Sequence, residues 1–252
     1  MEGRTLMDKL ILVDGDIIYN KAAFSCETAF NFSDDHIVRS ADSRDVIDLF
    51  HSMLMRIITV LNSERFLVCW TSTTNFRHDV DPSYKATRAN VRRPVVNPEA
   101  ISFLKKRYPS TVMNHLEADD VMGMLSGPET IIASDDKDLR TIPGELFLPR
   151  KPDEGVITIT LEDADRYWYK QTIMGDRTDG YTGIPGVGDK KSDKYLDTYG
   201  SSWQTVLKAY EDHNLTPDDA LRTGRMARIL RPGEWSYTKN QPILWTPDKA
   251  NG

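Results

Sequence analysis

A chain of 252 residues with 39% hydrophobic content can bury a sizeable core, as one large domain or a domain with an appendage. No apolar run approaches the roughly 18 residues needed to cross a bilayer, and Leu10 to Val13 is too short for a signal peptide. Cys26 and Cys69 form neither a CxxC pair nor a disulfide framework, which fits a reducing cytoplasm. The net charge of −6 argues against a nucleic-acid partner only until the acids are located: eight sit in four short clusters, and setting those eight aside turns −6 into +2.

In chain order, Lys9 to Val13 reads as a buried strand ending in Asp14-Gly15-Asp16. Val46, Phe50, Met53, Ile57 and Leu61 recur at helical spacing, which predicts an amphipathic helix over about 42–62. A second strand is expected over 65–70, followed by a polar, basic, proline-broken stretch from Thr71 to Pro98. Pro98 opens another helix to about Tyr108, and Glu117 to Leu125 is a short one. Strands are expected over 130–133, 145–148 and 156–160. From Leu161 the pattern is helical, broken by glycines between Gly175 and Gly188, and 231–252 reads as an extended tail. Alternating strands and helices imply an α/β fold with a mostly parallel sheet covered on both faces.

The four acidic clusters are Asp14; Glu117, Asp119 and Asp120; Asp136 and Asp138; and Asp176 and Asp179. Oxygen donors without histidine suit hard divalent cations, and two such ions about 4 Å apart can cut a phosphodiester. Asp14, Asp136 and Asp138 follow strands, so they can meet at the carboxyl edge of a sheet. Glu117 and Asp120 share a helix face, whereas Asp119 reaches inward only if the cluster straddles the helix start. Each acid taken singly also reads as a helix cap or turn residue, and Asp16 and Asp135 are read that way.

Gly183-Ile184-Pro185-Gly186-Val187-Gly188, followed by Asp189, Lys190 and Lys191, reads as a hairpin feeding a helix start. Backbone N–H groups there can hold a phosphate, with Lys190 and Lys191 adding charge. This is a helix-hairpin-helix pattern, a sequence-independent grip on a DNA backbone. In the stretch 75–97, Arg77, Lys85, Arg88, Arg92 and Arg93 outnumber Asp79 and Asp81. Tyr84 lies one helical turn from Arg88, so stacking on an unpaired base beside phosphate-holding cations is expected.

With these motifs assembled, the chain resembles the structure-specific 5′-nuclease family of flap endonucleases, polymerase-associated 5′-nucleases and bacteriophage 5′→3′ exonucleases. The carriers are VDGD at Asp14, YKATR at Tyr84, EADD at Glu117, SDDKDL at Ser134 and MGDRTDGYTGIPGVGDKK at Met174, in family order over roughly 10–200. The resemblance implies a PIN-like nuclease core over 1–160 with an arch insertion at about 72–97. A helical region over 161–230 would carry a helix–three-turn–helix at about 174–200, with the tail at 231–252. It implies two Mg²⁺ or Mn²⁺ held by Asp14, Glu117, Asp119, Asp120, Asp136 and Asp138, with Asp176 and Asp179 serving the second ion. Lys85 and Arg88 would engage the scissile phosphate, and hairpin carbonyls would hold K⁺. The implied partner is DNA with a 5′ end, flap or nick, extending to RNA in hybrids, bound by a monomer in the host cytoplasm if the chain is phage-encoded. One departure stands out: Trp70-Thr71-Ser72 occupies the place where many members carry an Asp.

Three rivals remain. Asp14-Gly15-Asp16 also resembles the nucleophile motif of haloacid-dehalogenase-like phosphatases, a reading that leaves EADD and the hairpin without a role. A non-catalytic DNA-junction binder would leave the acids to repel DNA. An RNA-directed PIN-type ribonuclease conflicts with a duplex-gripping hairpin.

Overall fold

A computed structural model describes residues 9–33, 36–95 and 98–247. Expectations for 1–8, for 96–97 at the end of the insertion and for the last residues of the tail lie outside these. Strand β1 (Leu10–Asp14) runs directly into α1 (Gly15–Ser25), followed by a hairpin of β2 (Thr28–Ser33) and β3 (His36–Ser40), α2 (Ser43–Leu61) and β4 (Phe66–Trp70). The basic stretch then contributes a short α3 (Arg77–Val80) and a 3-10 turn (Ala86–Asn90). Next come α4 (Pro98–Arg107), β5 (Ser110–Val112), α5 (Ala118–Leu125), β6 (Thr130–Ala133), a 3-10 turn (Lys137–Thr141), β7 (Gly144–Phe147) and β8 (Val156–Ile159). The rest is α6 (Leu161–Met174), a ribbon of β9 (Gly175–Asp176) and β10 (Tyr181–Thr182), α7 (Asp189–Tyr199), α8 (Trp203–Glu211), α9 (Pro217–Ala227) and a last ribbon of β11 (Trp235–Ser236) and β12 (Gln241–Pro242).

The main sheet has the order β5-β4-β1-β6-β7-β8, parallel except for the β7–β8 pair. Side chains of a strand alternate between faces, and on β1 both faces are buried. Ile11 and Val13 enter a core with α1, α2 and α4, while Leu12 enters one with α5 and residues 229–235. With its flanks covered, the sheet directs the carboxyl ends of β1 and β6 into one crevice.

Helix α2 matches its predicted span at both caps. The Asp42 side chain accepts the Arg44 N–H at 2.8 Å, and Asn62 ends the helix with φ +49°. Val46, Phe50, Leu54, Ile57 and Leu61 are buried, each removing from water a side chain whose burial is favourable by about 1.5–3 kcal/mol. The segment after Arg231 departs from the expected tail. It turns through the β11–β12 ribbon and is anchored: Trp245 is buried with ring centroids 4.8 Å from Trp168 and 4.6 Å from Trp203. Among the described residues no helix is long and apolar enough to cross a membrane.

Candidate active site

Asp14, at the end of β1, is buried. Its Oδ1 accepts the Ile17 N–H at 3.0 Å as the cap of α1, and its Oδ2 accepts the Ser134 hydroxyl at 2.7 Å. Each oxygen thus accepts one hydrogen bond and keeps a further lone pair for a ligand in the crevice. Ser134 Oγ also accepts the Asp136 N–H at 3.1 Å, so one hydroxyl ties the end of β1 to the turn after β6. Asp136 caps the 3-10 turn through the Asp138 N–H at 2.9 Å.

Burial, reinforced by Asp16 and Asp136, pushes the Asp14 carboxyl up to about 7 despite the pulls of Ile17 and Ser134. Burial and Asp136 likewise raise Asp138 to about 7. Asp119, in the first turn of α5, is raised well above the carboxylate range by burial, then by Asp14, Asp136 and Glu117. These groups share one crevice and repel one another when ionised. Gln171 donates to Asp138 Oδ1 at 2.6 Å, leaving its own Oε1 buried without a partner.

Glu117 is the N-cap of α5, so the EADD cluster does straddle the helix start and Asp119 faces inward. Asp120 does not join it, which corrects its expected place among metal-facing acids. It is fully buried, and its two oxygens accept Arg77 Nη1 and Nη2 at 2.7 and 2.8 Å. Arg77 also donates to the carbonyls of Met226 and Arg228 at 3.1 and 2.7 Å. The sequence placed this arginine in a solvent-facing DNA-binding stretch; it is instead a buried strut between the sheet and the C-terminal helices. Breaking a buried pair from one side strands a charge. Arg77→Met therefore lowers unfolding stability by about 3–5 kcal/mol in urea titrations, and a loss under about 1 kcal/mol would refute the strut.

Tyr84 is a second correction. It is buried, with its hydroxyl donating to Glu117 Oε2 at 2.7 Å, and presents no face for stacking on a base. Lys85 has φ +54°; its ammonium bonds Glu117 Oε1 and lies 3.8 Å from Asp179 Oδ2. Burial would raise the Glu117 carboxyl, but Arg77 and Lys85 outweigh it and lower it to about 2.

Arg88 pairs with Asp179, and Lys137 Nζ with Asp176 at 2.9 Å. Asp176 also accepts the Thr178 N–H at 2.7 Å. At the far end of the insertion, Arg92 bonds Glu27 and lies over the Phe24 ring, while the Val95 N–H donates to Glu27 at 2.7 Å. The insertion thus spans from Asp179 to the end of α1. Arg93 is exposed beside it. Among the described residues no three acidic, histidine or cysteine side chains are closed to metal-holding distance; several of the carboxylates bond Lys85, Arg88, Lys137 and Ser134 instead. Thr71 uses its hydroxyl to accept the Ala118 N–H at 3.1 Å, and its own N–H goes to Asp16 at 2.8 Å.

In the hairpin, Gly183 serves packing rather than an open approach. A Cβ there would lie 2.3 Å from the Gly175 nitrogen, so the residue fixes the ribbon carrying Asp176. Gly186 has φ +74° and faces open space, as does Gly188, the N-cap of α7. No side chain caps that helix start. Lys190 is exposed, and Lys191 Nζ donates back to the Gly186 carbonyl at 2.9 Å. The residues the sequence passed over are Ser134, Lys137, Gln171 and Glu27; Ser134 and Lys137 stand in SDDKDL beside the acids they bond.

Residues 9–147 match the family described as 5′-3′ exonuclease, N-terminal resolvase-like domain. The chain is 30% identical to the exodeoxyribonuclease of Enterobacteria phage T3, over 95% of this chain and 94% of that protein. It is 29% identical to the exonuclease of Escherichia phage T7 over the same shares. Among solved structures, the T5 D15 protein co-crystallised with metal ions overlays with a TM-score of 0.61 at 15% identity, covering 86% of this chain and 88% of that one. The catalytic core of Rad2 with DNA substrate overlays at 0.54 and 14% identity, covering 98% and 86%. Sheet, crevice and arch-like insertion therefore define the 5′-nuclease fold class. The chain belongs to the 5′-3′ exonuclease family.

Proposed function

We propose that this chain hydrolyses DNA phosphodiesters at or near a 5′ end with divalent cations. The observation that carries the reading is the convergence of Asp14, Asp119, Asp136 and Asp138 in one crevice where β1 and β6 end and α5 starts, with Lys85 and Arg88 reaching the acids at its edge. An all-oxygen donor set whose members repel one another fits Mg²⁺ or Mn²⁺. Asp14, Glu117, Asp119, Asp136 and Asp138 would hold one ion, and Asp176 with Asp179 a second. Such ions supply Lewis-acid polarisation of the phosphate and a more acidic water. Asp120, with both oxygens on Arg77, orients α5 rather than ligating. Lys85 and Arg88 leave their acids to face the scissile phosphate, while Ser134 and Gln171 keep Asp14 and Asp138 aimed.

The two full-length phage relatives, an exodeoxyribonuclease and an exonuclease, support the same reading. Phosphate oxygens are common to DNA and RNA strands, and the reading includes RNA strands in hybrids. It also includes K⁺ on the hairpin carbonyls, where the Lys191 ammonium already sits on Gly186. Incubation with 5′-labelled flap, nicked and blunt duplexes and Mg²⁺ tests it through product lengths; no cleavage with either Mg²⁺ or Mn²⁺ would sink it.

Raised carboxylate pKa values set a pH dependence. For Asp14 and Asp138 the folded value, about 7, exceeds the ordinary 3.8. Their contribution to stability is present below about pH 4 and is lost as pH rises to about 7. Mg²⁺ neutralises the ionised pair, so its addition raises the melting temperature more at pH 8 than at pH 5. An equal shift at both pH values would detach the ion from these acids.

Gly186→Val tests the hairpin. A β-branched residue is strained at φ +74° and covers the open face. Duplex affinity falls about tenfold, the order of one lost charge-assisted contact, with the metal requirement unchanged. Unaltered affinity in a folded variant would return this segment to an ordinary loop.

A further inference from the structure

A cavity of about 440 Å³ lies beyond the carboxylates, on the α1–α2 side of the sheet and away from the hairpin. Asp14 and Ser134 line its inner end, so it opens from the candidate active site itself. Its walls are of two kinds. Ile17, Met53, Ile57 and Phe147 make an apolar surface, while Lys21, Arg56 and Arg150 are cations from three separate elements.

Two of those cations are held in place. The Asp135 side chain, only 8% exposed, bonds Lys21, accepts the Arg150 backbone N–H at 2.9 Å and lies 3.6 Å from the Arg150 guanidinium. Arg56, exposed on α2, makes no ion pair among the described residues. Set against the carboxylates of Asp135 and Asp14, the three cations leave one net positive charge on the lining when both acids are ionised. A second opening shares Lys21, Asp135 and Arg150 and continues to Asp136 and Lys137. The cavity is thus joined to the site on two sides.

A cavity of this size suits a small ligand, and its lining asks for a flat apolar body carrying an anion. A nucleotide has that chemistry. We infer that this cavity seats the 5′-terminal nucleotide of the strand being cut, with its base against the apolar wall and its 5′-phosphate on Lys21, Arg56 and Arg150. The inference rests on the proposed 5′-nuclease reading and gives it a register. With the terminal nucleotide beyond Asp14, the next phosphodiester lies at the carboxylates. Water adds to that phosphorus, the bond to O3′ breaks, and O3′ leaves as a hydroxyl after gaining the proton. The nucleotide is released as a nucleoside 5′-monophosphate.

Calorimetry on the full chain with Mg²⁺ tests the cavity directly, using thymidine 5′-monophosphate, thymidine and inorganic phosphate as probes. The nucleotide binds more tightly than either half. Arg56→Glu reverses a rim charge, and Val60→Trp fills the mouth from an exposed position; each weakens nucleotide binding by about tenfold or more. On blunt duplex the wild type releases single nucleotides faster from 5′-phosphorylated than from 5′-hydroxyl ends, and Arg56→Glu loses that preference. Unchanged nucleotide affinity in both folded variants, or binding no better than inorganic phosphate, would overturn the assignment. If the wild type cuts none of the substrates, the proposed activity falls while calorimetry still decides the cavity.

Discussion

Asp14→Asn and Asp138→Asn each lower Mg²⁺-supported cleavage by about 10³ or more, while DNA affinity holds or improves. Removing one oxygen anion from a metal-holding set forfeits several kcal/mol of transition-state stabilisation, and each 1.36 kcal/mol is tenfold in rate. Asn keeps the size of Asp, so an oxygen still accepts the Ile17 N–H at the start of α1. Both carboxyls are raised to about 7, so their ionised forms burden the fold, and the variants stay folded at neutral pH. The loss of charge also lessens repulsion of phosphate, which separates cleavage from binding. Single-turnover rates beside filter-binding affinities measure the two effects. Full cleavage by Asp138→Asn would remove that residue from the metal-holding set.

Lys85→Ala reduces single-turnover cleavage by about 10², the scale on which loss of a preorganised charge-stabilising donor is felt. The ammonium is held between Glu117 and Asp179, 4.8 Å from the Tyr84 ring centroid, on a backbone whose N–H is fixed to the Asp179 carbonyl at 2.8 Å. A cation so placed acts on charge that develops during reaction more than on ground-state binding. Affinity falls modestly, because Arg88, Arg92 and Arg93 still supply positive charge; Arg77, being buried, does not. Arg88→Ala gives a similar, separable defect through Asp179. Equal losses in affinity and rate would make Lys85 a DNA-holding residue only.

The parts of the fold governed by local periodicity were legible in the sequence. Apolar spacing and the flanking Asp42 and Asn62 mark α2, and β1, β4 and β6 show as short apolar runs. Three-residue β5 at the sheet edge escapes notice because Ser110 and Thr111 are only partly buried and Val112 is exposed. The β2–β3 hairpin has exposed Phe30, Phe32, Ile37 and Val38 and so no inward-outward alternation to betray it. In the site, the acids were legible as a set but not their separate environments. Asp119 and Asp120 are adjacent, yet one faces the other carboxylates and the other a guanidinium. That difference depends on Arg77, which besides Asp120 and Glu117 bonds two backbone carbonyls carrying no sequence signal. Tyr84 misled for a similar reason: its spacing from Arg88 suggested a shared outward face, whereas φ +54° at Lys85 turns the two apart.

The Arg77 strut bears on the order of events in folding. Its bonds to Met226 and Arg228 join residues 149 and 151 apart in the chain, and contacts of such separation form late because the intervening loop must close first. During synthesis the whole sheet emerges before those two carbonyls do. Until they arrive, the guanidinium on Asp120 lacks half its partners, and α5, which carries Glu117 and Asp119, lacks its anchor to the C-terminal segment. A ribosome-bound fragment stopping short of residue 226 would therefore hold the acids without their final arrangement. Activity would accordingly depend on the C-terminal helices being in place.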